Sequence, residues 1–319
     1  MNPLSVAHGR HLRAAALILV VMLHPHGGAA AESGPDPEHT LVVDGVSRTY
    51  RVHVPSGYKA TVPVPLLLAF HGAGSDSEGM AYLTGLDKVA DGAGFLAVYP
   101  QGIDYRWHAG RDISSTGAQV DDLGFVRALL TRLESDYAVD RQRVYATGFS
   151  NGAFFSQRLA CAMTADFAAV ASVSGQMSKA LSLDCKPTRP ISMLLVHGTD
   201  DPVVPYDGGS MEGSRSGALL SVAATAAFWA HADACPGGGA SVKLPDASPA
   251  DGTHVRREAH AGCAAGTEVT LYTVKNGGHT WPDGPQYDQI WIIGKVSHAL
   301  DASAAIWEFL ARHTLPAKP

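Results

Sequence analysis

The segment RVYATGFSNGAFFSQRL, residues 143–159, carries the strongest structural signal in the chain. A β-rich run, Arg143–Thr147, leads directly into Gly148-Phe149-Ser150-Asn151-Gly152, and a helical stretch follows. A serine at the centre of G-x-S-x-G, between a strand and a helix, is typical of a nucleophile elbow, a strained turn that exposes the serine hydroxyl. The alternative is an ordinary glycine-rich turn between a strand and a helix. We therefore take Ser150 as the candidate nucleophile.

The segments on both sides of this turn alternate between short, continuously apolar runs and helical stretches. Such runs are typical of parallel strands buried on both faces, and their alternation with helices predicts right-handed crossovers. The predicted strands are Pro65–Phe70, Phe95–Tyr99, Arg143–Thr147, Ala168–Val173, Ile191–Val196 and Glu268–Val274. The predicted helices are approximately Gly79–Gly92, Asp121–Tyr137, Asn151–Met163, Leu219–Ala230 and Asp301–His313. We expect an α/β fold with a mostly parallel central sheet and helices on both faces.

Two β-rich runs precede this pattern. Thr40–Val43 and Arg48–Val54 are joined through Asp44-Gly45, which is a hairpin signal. The sequence therefore predicts an N-terminal antiparallel hairpin at the start of the domain.

Residues 1–31 have the features of a secretory signal peptide. Arg10 and Arg13 precede an apolar run, Ala14–Leu23, and small residues end at Ala31. The run is too short to span a bilayer, and no other stretch of the sequence reaches about 20 apolar residues. We expect residues 32–319 to form a single catalytic domain that is secreted, to the periplasm or outside the cell, with no membrane span.

The charge balance argues against a nucleic-acid partner. The 319 residues include 24 basic and 30 acidic side chains, and removal of the predicted signal peptide leaves 22 against 30, a net charge of -8. Because phosphate binding needs a basic surface, this charge balance predicts no nucleic-acid partner.

The four cysteines, Cys161, Cys185, Cys235 and Cys263, are even in number, as expected of disulfides in an exported chain. Three pairings are possible, and we favour Cys161 with Cys185 and Cys235 with Cys263 because each closes a modest loop. None has the spacing of a metal or redox motif. Residues 233–266, rich in Gly, Ala, Pro and Asp, are interpreted as a decorated surface loop in preference to a lid.

A serine nucleophile needs a histidine base and a carboxylate that orients the base, in the chain order Ser, acid, His for this type of fold. His279 follows the last predicted strand, in Gly277-Gly278-His279-Thr280-Trp281-Pro282, where a loop can bring the imidazole over the serine. The other histidines after Ser150 are less suitable, since each one precedes every plausible acid, borders or lies in a helix, or lies in the glycine-rich segment. They are His197, His231, His254, His260, His298 and His313.

Two adjacent carboxylates compete for the role of the acid, in the run His197-Gly198-Thr199-Asp200-Asp201-Pro202 after a predicted strand. Ligands of open α/β sheets bind at this edge of the sheet. We favour Asp201, because Pro202 restricts its backbone to an extended conformation. Asp200 is expected to cap the turn.

His71-Gly72-Ala73-Gly74 follows another predicted strand and is similar to the glycine-rich loops that donate one N–H of an oxyanion hole. The backbone N–H groups of Ala73 and Asn151 are therefore the predicted oxyanion donors. His71 itself is interpreted as a structural histidine.

Several of these motifs together resemble one known family. They are the elbow, the run HGTDDPVVPY at His197–Tyr206, GGHTWP around His279, Tyr99-Pro100-Gln101-Gly102 with Trp107, Val120–Phe125 and Ile306–Phe309. They are similar to motifs of the secreted polyhydroxybutyrate depolymerase-like and feruloyl esterase-like (LpqC-type) proteins of carbohydrate esterase family one, within the α/β-hydrolase superfamily. The likeness covers nearly all of residues 32–319.

The resemblance implies a Ser-Asp-His esterase with the α/β-hydrolase fold, with Asp201 as the acid, His279 as the base and the same two disulfides. One departure is visible. Many members of the family have adjacent cysteines shortly after the tryptophan, whereas Trp107 is followed here by His108-Ala109-Gly110-Arg111-Asp112. We therefore expect no further disulfide near the site and a loop of different shape.

Trp107 and Trp281 lie on loops at the strand ends that carry the predicted site, and we take both as candidate substrate-binding residues. Packing in the core is an equal alternative. Asp121 and Asp122 are interpreted as carboxylates in the first turn of a helix, which its dipole stabilises, rather than as a metal site.

These observations predict a serine carboxylic ester hydrolase that forms an acyl-enzyme and needs no cofactor or metal. By resemblance, the substrates are hydroxycinnamoyl or acetyl esters of polysaccharides, or short hydroxyalkanoate esters. We expect no appended polymer-binding module and therefore small-molecule or oligomeric esters. The alternatives are a peptidase or thioesterase with the same triad, and a non-catalytic binding protein with this fold. The sequence gives no oligomeric state.

Overall fold

The computed structural model describes residues 36–109, 120–210, 217–245 and 251–316, and the strands of these ranges form a ten-stranded sheet and a separate two-stranded ribbon. The strands are β1 Glu38–Val43, β2 Val46–His53, β3 Val64–Phe70, β4 Leu96–Pro100, β5 Val139–Gly148, β6 Ala169–Val173, β7 Ser192–Gly198, β8 Gly209–Ser210, β9 Ala218–Leu219, β10 Ala240–Lys243, β11 His254–His260 and β12 Val269–Lys275. The ribbon consists of β8 and β9.

The large sheet has the order β1-β2-β4-β3-β5-β6-β7-β12-β11-β10. The six strands from β4 to β12 are parallel, whereas the outer strands at both edges pair antiparallel. Nearly every residue of β3, β4, β6 and β7 is buried, which explains why these strands have continuous apolar runs in the sequence. The mostly parallel sheet and the N-terminal hairpin confirm the predicted fold class.

The helices within the described ranges are α1 Ser77–Thr84, α2 Leu86–Ala93, α3 Asp122–Asp136, α4 Asn151–Ala162, α5 Lys179–Asp184, α6 Val222–Ala232, α7 Ile290–Ile293 and α8 Ala302–Leu310. They cover both faces of the sheet and produce two cores. One core contains buried residues of α3, α4 and α6, and the other contains buried residues of α1, α2 and α8. Successive β3 residues alternate between the cores, with Leu66 and Leu68 in the first and Leu67 in the second.

Two predictions of local structure were wrong. The helix predicted over Gly79–Gly92 is two helices, because Gly85 adopts a left-handed conformation, φ 57°, that ends α1 and precedes α2. The segment 233–266, predicted as a decorated loop, contains β10 and β11, which extend the sheet beyond β12. Most residues of these edge strands are partly or fully exposed, so the apolar alternation that predicts a strand is lacking.

Two disulfides link Cys161 to Cys185 and Cys235 to Cys263, the pairing favoured from the sequence. The first connects α4 to the residue that follows α5. The second connects the residues that flank β10 and β11, and so fixes the start and the end of the edge hairpin on the domain. The predicted signal peptide, residues 1–31, lies outside the described residues. Of the helices in the described ranges, none has the length and apolar character to cross a bilayer.

A histidine surrounded by carboxylates joins the N-terminal hairpin to α2. His53, the last residue of β2, lies 3.2 Å from Asp36 Oδ1 through Nδ1 and 3.3 Å from Asp91 Oδ1 through Nε2. Asp87 Oδ1 lies 3.9 Å away. The hydrogen bond to Asp36 contributes most to raising the pKa of His53 to about 9, and it outweighs burial, which lowers the pKa. The imidazolium therefore bridges two segments at neutral pH.

We expect this histidine to make stability depend on pH. A folded-state pKa above the unfolded value of 6.5 gives stabilisation that is complete below pH 6.5 and is lost as the pH rises to about 9. His53→Gln should therefore lower the free energy of unfolding by roughly 1 to 2 kcal/mol at pH 6, after allowance for solvent screening, and by almost nothing above about pH 9.5. Urea denaturation of both proteins at several pH values measures this difference. A difference that does not change with pH would contradict the expectation.

Candidate active site

Ser150 lies at the carboxyl end of β5, where the chain turns into α4. Its backbone has φ 54° and ψ -112°, an unusual conformation for a residue other than glycine. Ser150 N donates to Val173 O at 3.0 Å, which ties the turn to the neighbouring strand β6. The hydroxyl is thus presented at the edge where the parallel strands end, as the predicted elbow requires.

Gly148 and Gly152 of the elbow occupy positions with no room for a side chain. A Cβ on Gly148 would lie 2.3 Å from Gly152 O, and a Cβ on Gly152 would lie 2.0 Å from Phe70 O. Both distances are far below van der Waals contact, so any side chain at either position would push α4 away from β3 and β5. The G-x-S-x-G spacing therefore follows from the close approach of the strand and the helix.

His279 lies in the loop after β12 and is held from two sides. Its Nδ1 lies 2.7 Å from Asp201 Oδ2, and its backbone N–H donates to Ile293 O at 2.6 Å. The Phe149 ring packs against the imidazole, with 4.9 Å between ring centroids. Because a carboxylate can only accept, Nδ1 carries the proton in this pair and Nε2 remains an acceptor. An imidazole in this tautomer can take a proton from a hydroxyl.

Asp201 is buried, and its second oxygen is also occupied. Asp201 Oδ1 accepts from the N–H groups of Val203 and Val204 at 2.8 and 2.7 Å. These bonds orient the carboxylate so that Oδ2 faces His279. Asp200 is exposed and accepts from the Thr199 hydroxyl at 2.8 Å. The structure thus brings Asp201, and not Asp200, to the imidazole.

A second histidine lies near the same carboxylate. His197 Nε2 is 3.4 Å from Asp201 Oδ2 and 2.9 Å from Val204 O, to which it donates. Burial lowers the pKa of His197, which favours the neutral imidazole. The histidine thus holds the loop that follows Asp201. This role could not be predicted from the sequence, in which the only signal was the position of His197 at the end of a predicted strand.

One cavity of about 390 Å³ brings Ser150 and His279 together. Its walls come from the loop after β3, from α1, from the elbow and from the loops after β7 and β12. The lining residues are Gly72, Ala73, Ser75, Gly79, Met80, Tyr82, Leu83, Phe149, Ser150, Val203, His279 and Tyr287. An acceptor nitrogen and a hydroxyl in one partly apolar cavity are the groups that acyl transfer needs.

One of the two predicted oxyanion donors belongs to a residue that lines this cavity. Ala73 lines it, and among the described residues no acceptor is found for the Ala73 N–H. Asn151 is the first residue of α4, where a backbone N–H has no acceptor within the helix. Among the described residues the Ala73 N–H is thus left without an acceptor, and Asn151 is not one of the residues that line the cavity.

His71 precedes the Ala73 loop and is fully buried. Its Nδ1 donates to Gly72 O at 2.7 Å, and its Nε2 accepts from Gly102 N at 3.0 Å. Burial lowers the pKa of His71, in keeping with a neutral ring that has one donor and one acceptor nitrogen. The imidazole fastens the loop after β3 to the loop after β4, a structural role.

The expectation that Trp107 and Trp281 bind substrate is corrected by their burial, since Trp107 is 4% exposed and Trp281 is 1% exposed. Neither lines the cavity. Trp107 stacks on Phe155 at 5.1 Å between ring centroids, and Trp281 Nε1 donates to Ser303 Oγ at 3.0 Å. Both tryptophans lie on loops near the site, but their indole rings point into the core. Core packing, the alternative given from the sequence, therefore applies to both.

Asp121 and Asp122 have different roles at the start of α3. Asp121 caps the helix by accepting from Gly124 N at 2.8 Å. Asp122 is buried and lies 2.8 Å from Arg48 Nη2, and its other oxygen accepts from His108 N at 2.8 Å. Asp122 is therefore paired with a cation of the protein itself. In the described ranges, the group of side chains close enough to hold a metal ion is Asp36, His53 and Asp87, none of which lines the cavity.

Sequence reasoning missed the residues that shape the cavity. Met80, Tyr82 and Leu83 come from α1, and Tyr287 donates its hydroxyl to His279 O at 2.9 Å. The α1 residues had a usable signal, because this helix starts directly after the glycine-rich loop. Tyr287 had none, since its segment lacks any periodic pattern.

Sequence comparisons point to esterases. A family model described as phospholipase/carboxylesterase matches residues 112–223. The chain is 34% identical over 283 residues to a Nocardia uniformis subsp. tsuyamanensis protein named "Putative esterase NocK", which covers 85% of this chain and 81% of that protein. It is 31% identical over 191 residues to feruloyl esterase C of Emericella nidulans, covering 58% of this chain and 66% of that protein.

Structural comparisons support the same fold at low sequence identity. The acetyl xylan esterase of Aspergillus awamori superposes with a TM-score of 0.53 at 14% identity, over 76% of this chain and 94% of that one. A thermostable esterase superposes with a TM-score of 0.56 at 16% identity, over 88% of this chain and 64% of that one.

Proposed function

This chain belongs to the α/β-hydrolase esterases, the family of NocK and feruloyl esterase C, and is itself an esterase. From this premise we propose that it cleaves carboxylic esters through an acyl-enzyme on Ser150. The observation that carries the proposal is that Ser150 and His279 line one cavity while Asp201 holds His279 Nδ1 at 2.7 Å. In this assignment Ser150 is the nucleophile, His279 the general base and Asp201 the residue that orients the base.

The proposed reaction has two steps. Ser150 Oγ attacks the ester carbonyl carbon while His279 Nε2 takes its proton, and the oxyanion accepts hydrogen bonds from the N–H groups of Ala73 and Asn151. His279 returns the proton to the leaving alcohol, and the acyl group remains on Ser150. Water then attacks the acyl-enzyme with the same base, and the acid leaves. No cofactor takes part in either step.

We propose an aromatic acyl group, of the hydroxycinnamoyl type, as the preferred acid part of the ester. The support comes from the cavity walls, since Tyr82, Tyr287 and Phe149 line the same cavity as Ser150 and His279, together with apolar side chains of α1. Flat aromatic rings pack well against such walls. Feruloyl esterases among the relatives act on esters of this kind, as their names state.

A hydrolysis screen tests both parts of the proposal. Methyl ferulate, nitrophenyl ferulate, acetylated xylan, hydroxybutyrate oligomers and a plain nitrophenyl acetate are compared at matched concentrations. We expect kcat/KM for nitrophenyl ferulate to exceed that for nitrophenyl acetate, which has the same leaving group, by at least about tenfold, because filling an apolar pocket is worth roughly 10-fold to 200-fold. A preference for acetyl or hydroxybutyrate esters would contradict the aromatic substrate, and no hydrolysis of any ester would contradict the reaction.

We also propose that the protein is exported, with residues 1–31 as the signal peptide. Both disulfides agree with an oxidising compartment. The mass of the secreted protein should correspond to a chain that starts near Glu32. A mature chain that retains Arg10 and Arg13 would contradict export by this route.

A further inference from the structure

Trp107 lies between the two backbone segments that carry the proposed oxyanion donors. We propose that Trp107 is a positioning residue that ties these segments together, so that the N–H groups of Ala73 and Asn151 keep a fixed separation. The inference rests on the proposed function, because it concerns the same oxyanion hole. Trp107 does not line the cavity, so any effect that it has on the reaction must act through other residues.

The first tie connects the tryptophan backbone to the elbow. Trp107 N donates to Asn151 Oδ1 at 2.7 Å, and Asn151 Nδ2 donates to Trp107 O at 3.1 Å. All four atoms are buried. A side chain held by two antiparallel hydrogen bonds cannot rotate without breaking both. The residue whose N–H is the proposed donor is therefore clamped immediately after the strained Ser150.

The second tie connects the indole to the loop after β3. Trp107 Nε1 donates to His71 O at 3.1 Å. This carbonyl belongs to the peptide group that leads into Gly72 and Ala73, so the bond fixes the direction in which the loop leaves β3. The ring is itself immobilised, because it stacks on Phe155 and meets the edge of Phe70, each at 5.1 Å between centroids.

A buried ionic network fixes the backbone of His108, the residue that follows Trp107. Asp122 Oδ2 accepts from the backbone N–H of His108, and Asp122 Oδ1 pairs with Arg48 Nη2, both at 2.8 Å. Arg158, on α4, donates to His108 O. His108 is thus bonded to α3 and α4. These bonds limit movement of the neighbouring Trp107 backbone, and so they support both ties.

The physical consequence concerns the transition state more than the ground state. Oxyanion donors stabilise the tetrahedral intermediate because they are already in position, and small displacements reduce this effect steeply. Substrate binding depends on the apolar walls, which Trp107 does not form. Loosening either tie should therefore lower kcat and leave KM nearly unchanged.

Trp107→Phe is the variant that separates these effects, because phenylalanine keeps an aromatic ring and removes the hydrogen bond to His71 O. We expect kcat for a nitrophenyl ester to fall about tenfold with KM changed by less than about twofold, a smaller loss than the roughly 100-fold that follows removal of a donor itself. The inhibition constant of phenylboronic acid, whose boron becomes tetrahedral on the serine oxygen, should rise by the same factor.

Trp229→Phe is the matched control. Trp229 is also fully buried, and its Nε1 donates to Gln157 Oε1 at 3.1 Å, outside the cavity. Both variants lose one buried hydrogen bond and should lose similar thermal stability, but only Trp107→Phe should lose kcat. Equal losses of kcat in both variants would overturn the positioning role.

Asn151→Ala provides a second route in case Trp107→Phe folds poorly, since it removes both bonds to the tryptophan backbone and should by itself lower kcat about tenfold with KM changed by less than about twofold. Where Trp107→Phe does fold, the two changes are also combined in a double variant. If the ties act together, the loss of kcat in the double variant should be smaller than the product of the two single losses. A loss equal to the product would overturn the coupling. Absence of ester hydrolysis in the wild-type protein would instead refute the proposed function. Normal wild-type activity with an unchanged kcat in Trp107→Phe would refute the positioning inference alone.

Discussion

Ser150→Ala should abolish ester hydrolysis, with kcat lowered on the order of 10⁴-fold or more and KM nearly unchanged. The alanine cannot form the acyl-enzyme, and only the oxyanion hole and the binding cavity remain to favour attack by water. The same variant should lose covalent labelling by a fluorophosphonate probe, which is read by mass spectrometry of the intact protein. The elbow leaves enough space for alanine, so thermal stability should change little.

Ser182→Ala serves as the control, because Ser182 Oγ donates to Lys179 O on α5 and takes no part in the cavity. This variant should be labelled and should hydrolyse esters like the wild-type protein. Labelling that persists in Ser150→Ala, or activity within about tenfold of wild type, would exclude Ser150 as the nucleophile and with it the acyl-enzyme mechanism.

The parts of the fold that sequence could predict are those that depend on local signals. Strands buried on both faces need continuous apolar residues, and Leu66–Phe70 shows this directly. The elbow could be predicted because the close contact between β5 and α4 requires glycine at positions 148 and 152, which gives a recognisable motif. His279 could be found by elimination, although 78 residues separate it from Asp201, because the order of the triad along the chain is a property of the fold.

Other features depend on contacts that local sequence does not encode. The edge strand β11 has a single buried residue, Val255, so its sequence HVRREAH gives no alternating pattern. For Trp107, the sequence predicted the loop position and left substrate binding and core packing as equal alternatives for the direction of the side chain. That direction is set by Phe70 and Phe155, whose packing becomes visible only when β3 and α4 are in place. The position of Tyr287 in the cavity wall likewise depends on the path of the loop after β12, which local sequence does not encode.

Asp201→Asn should lower kcat on the order of 10⁴-fold, because the amide would select the wrong tautomer of His279. Asp201 Oδ1 accepts from two backbone N–H groups, at Val203 and Val204, so the amide oxygen must occupy that position. The amide NH₂ would then face His279 Nδ1, at the place of the oxygen that now lies 2.7 Å away. Nδ1 would become an acceptor and Nε2 would carry the proton, so no base would face Ser150. Steady-state kinetics with a nitrophenyl ester measure the loss.

Asp200→Asn is the matched control, with the same chemical change one residue earlier. Asp200 is exposed and accepts from the Thr199 hydroxyl, a bond that an amide oxygen can also accept, so kcat/KM should stay within about twofold of wild type. The pair of variants separates the two carboxylates that the sequence left in competition. A large loss in Asp200→Asn with an active Asp201→Asn would show that the loop rearranges to present Asp200 to the imidazole. Small effects in both would mean that His279 keeps its tautomer without a carboxylate, and the assigned role of Asp201 would then be wrong.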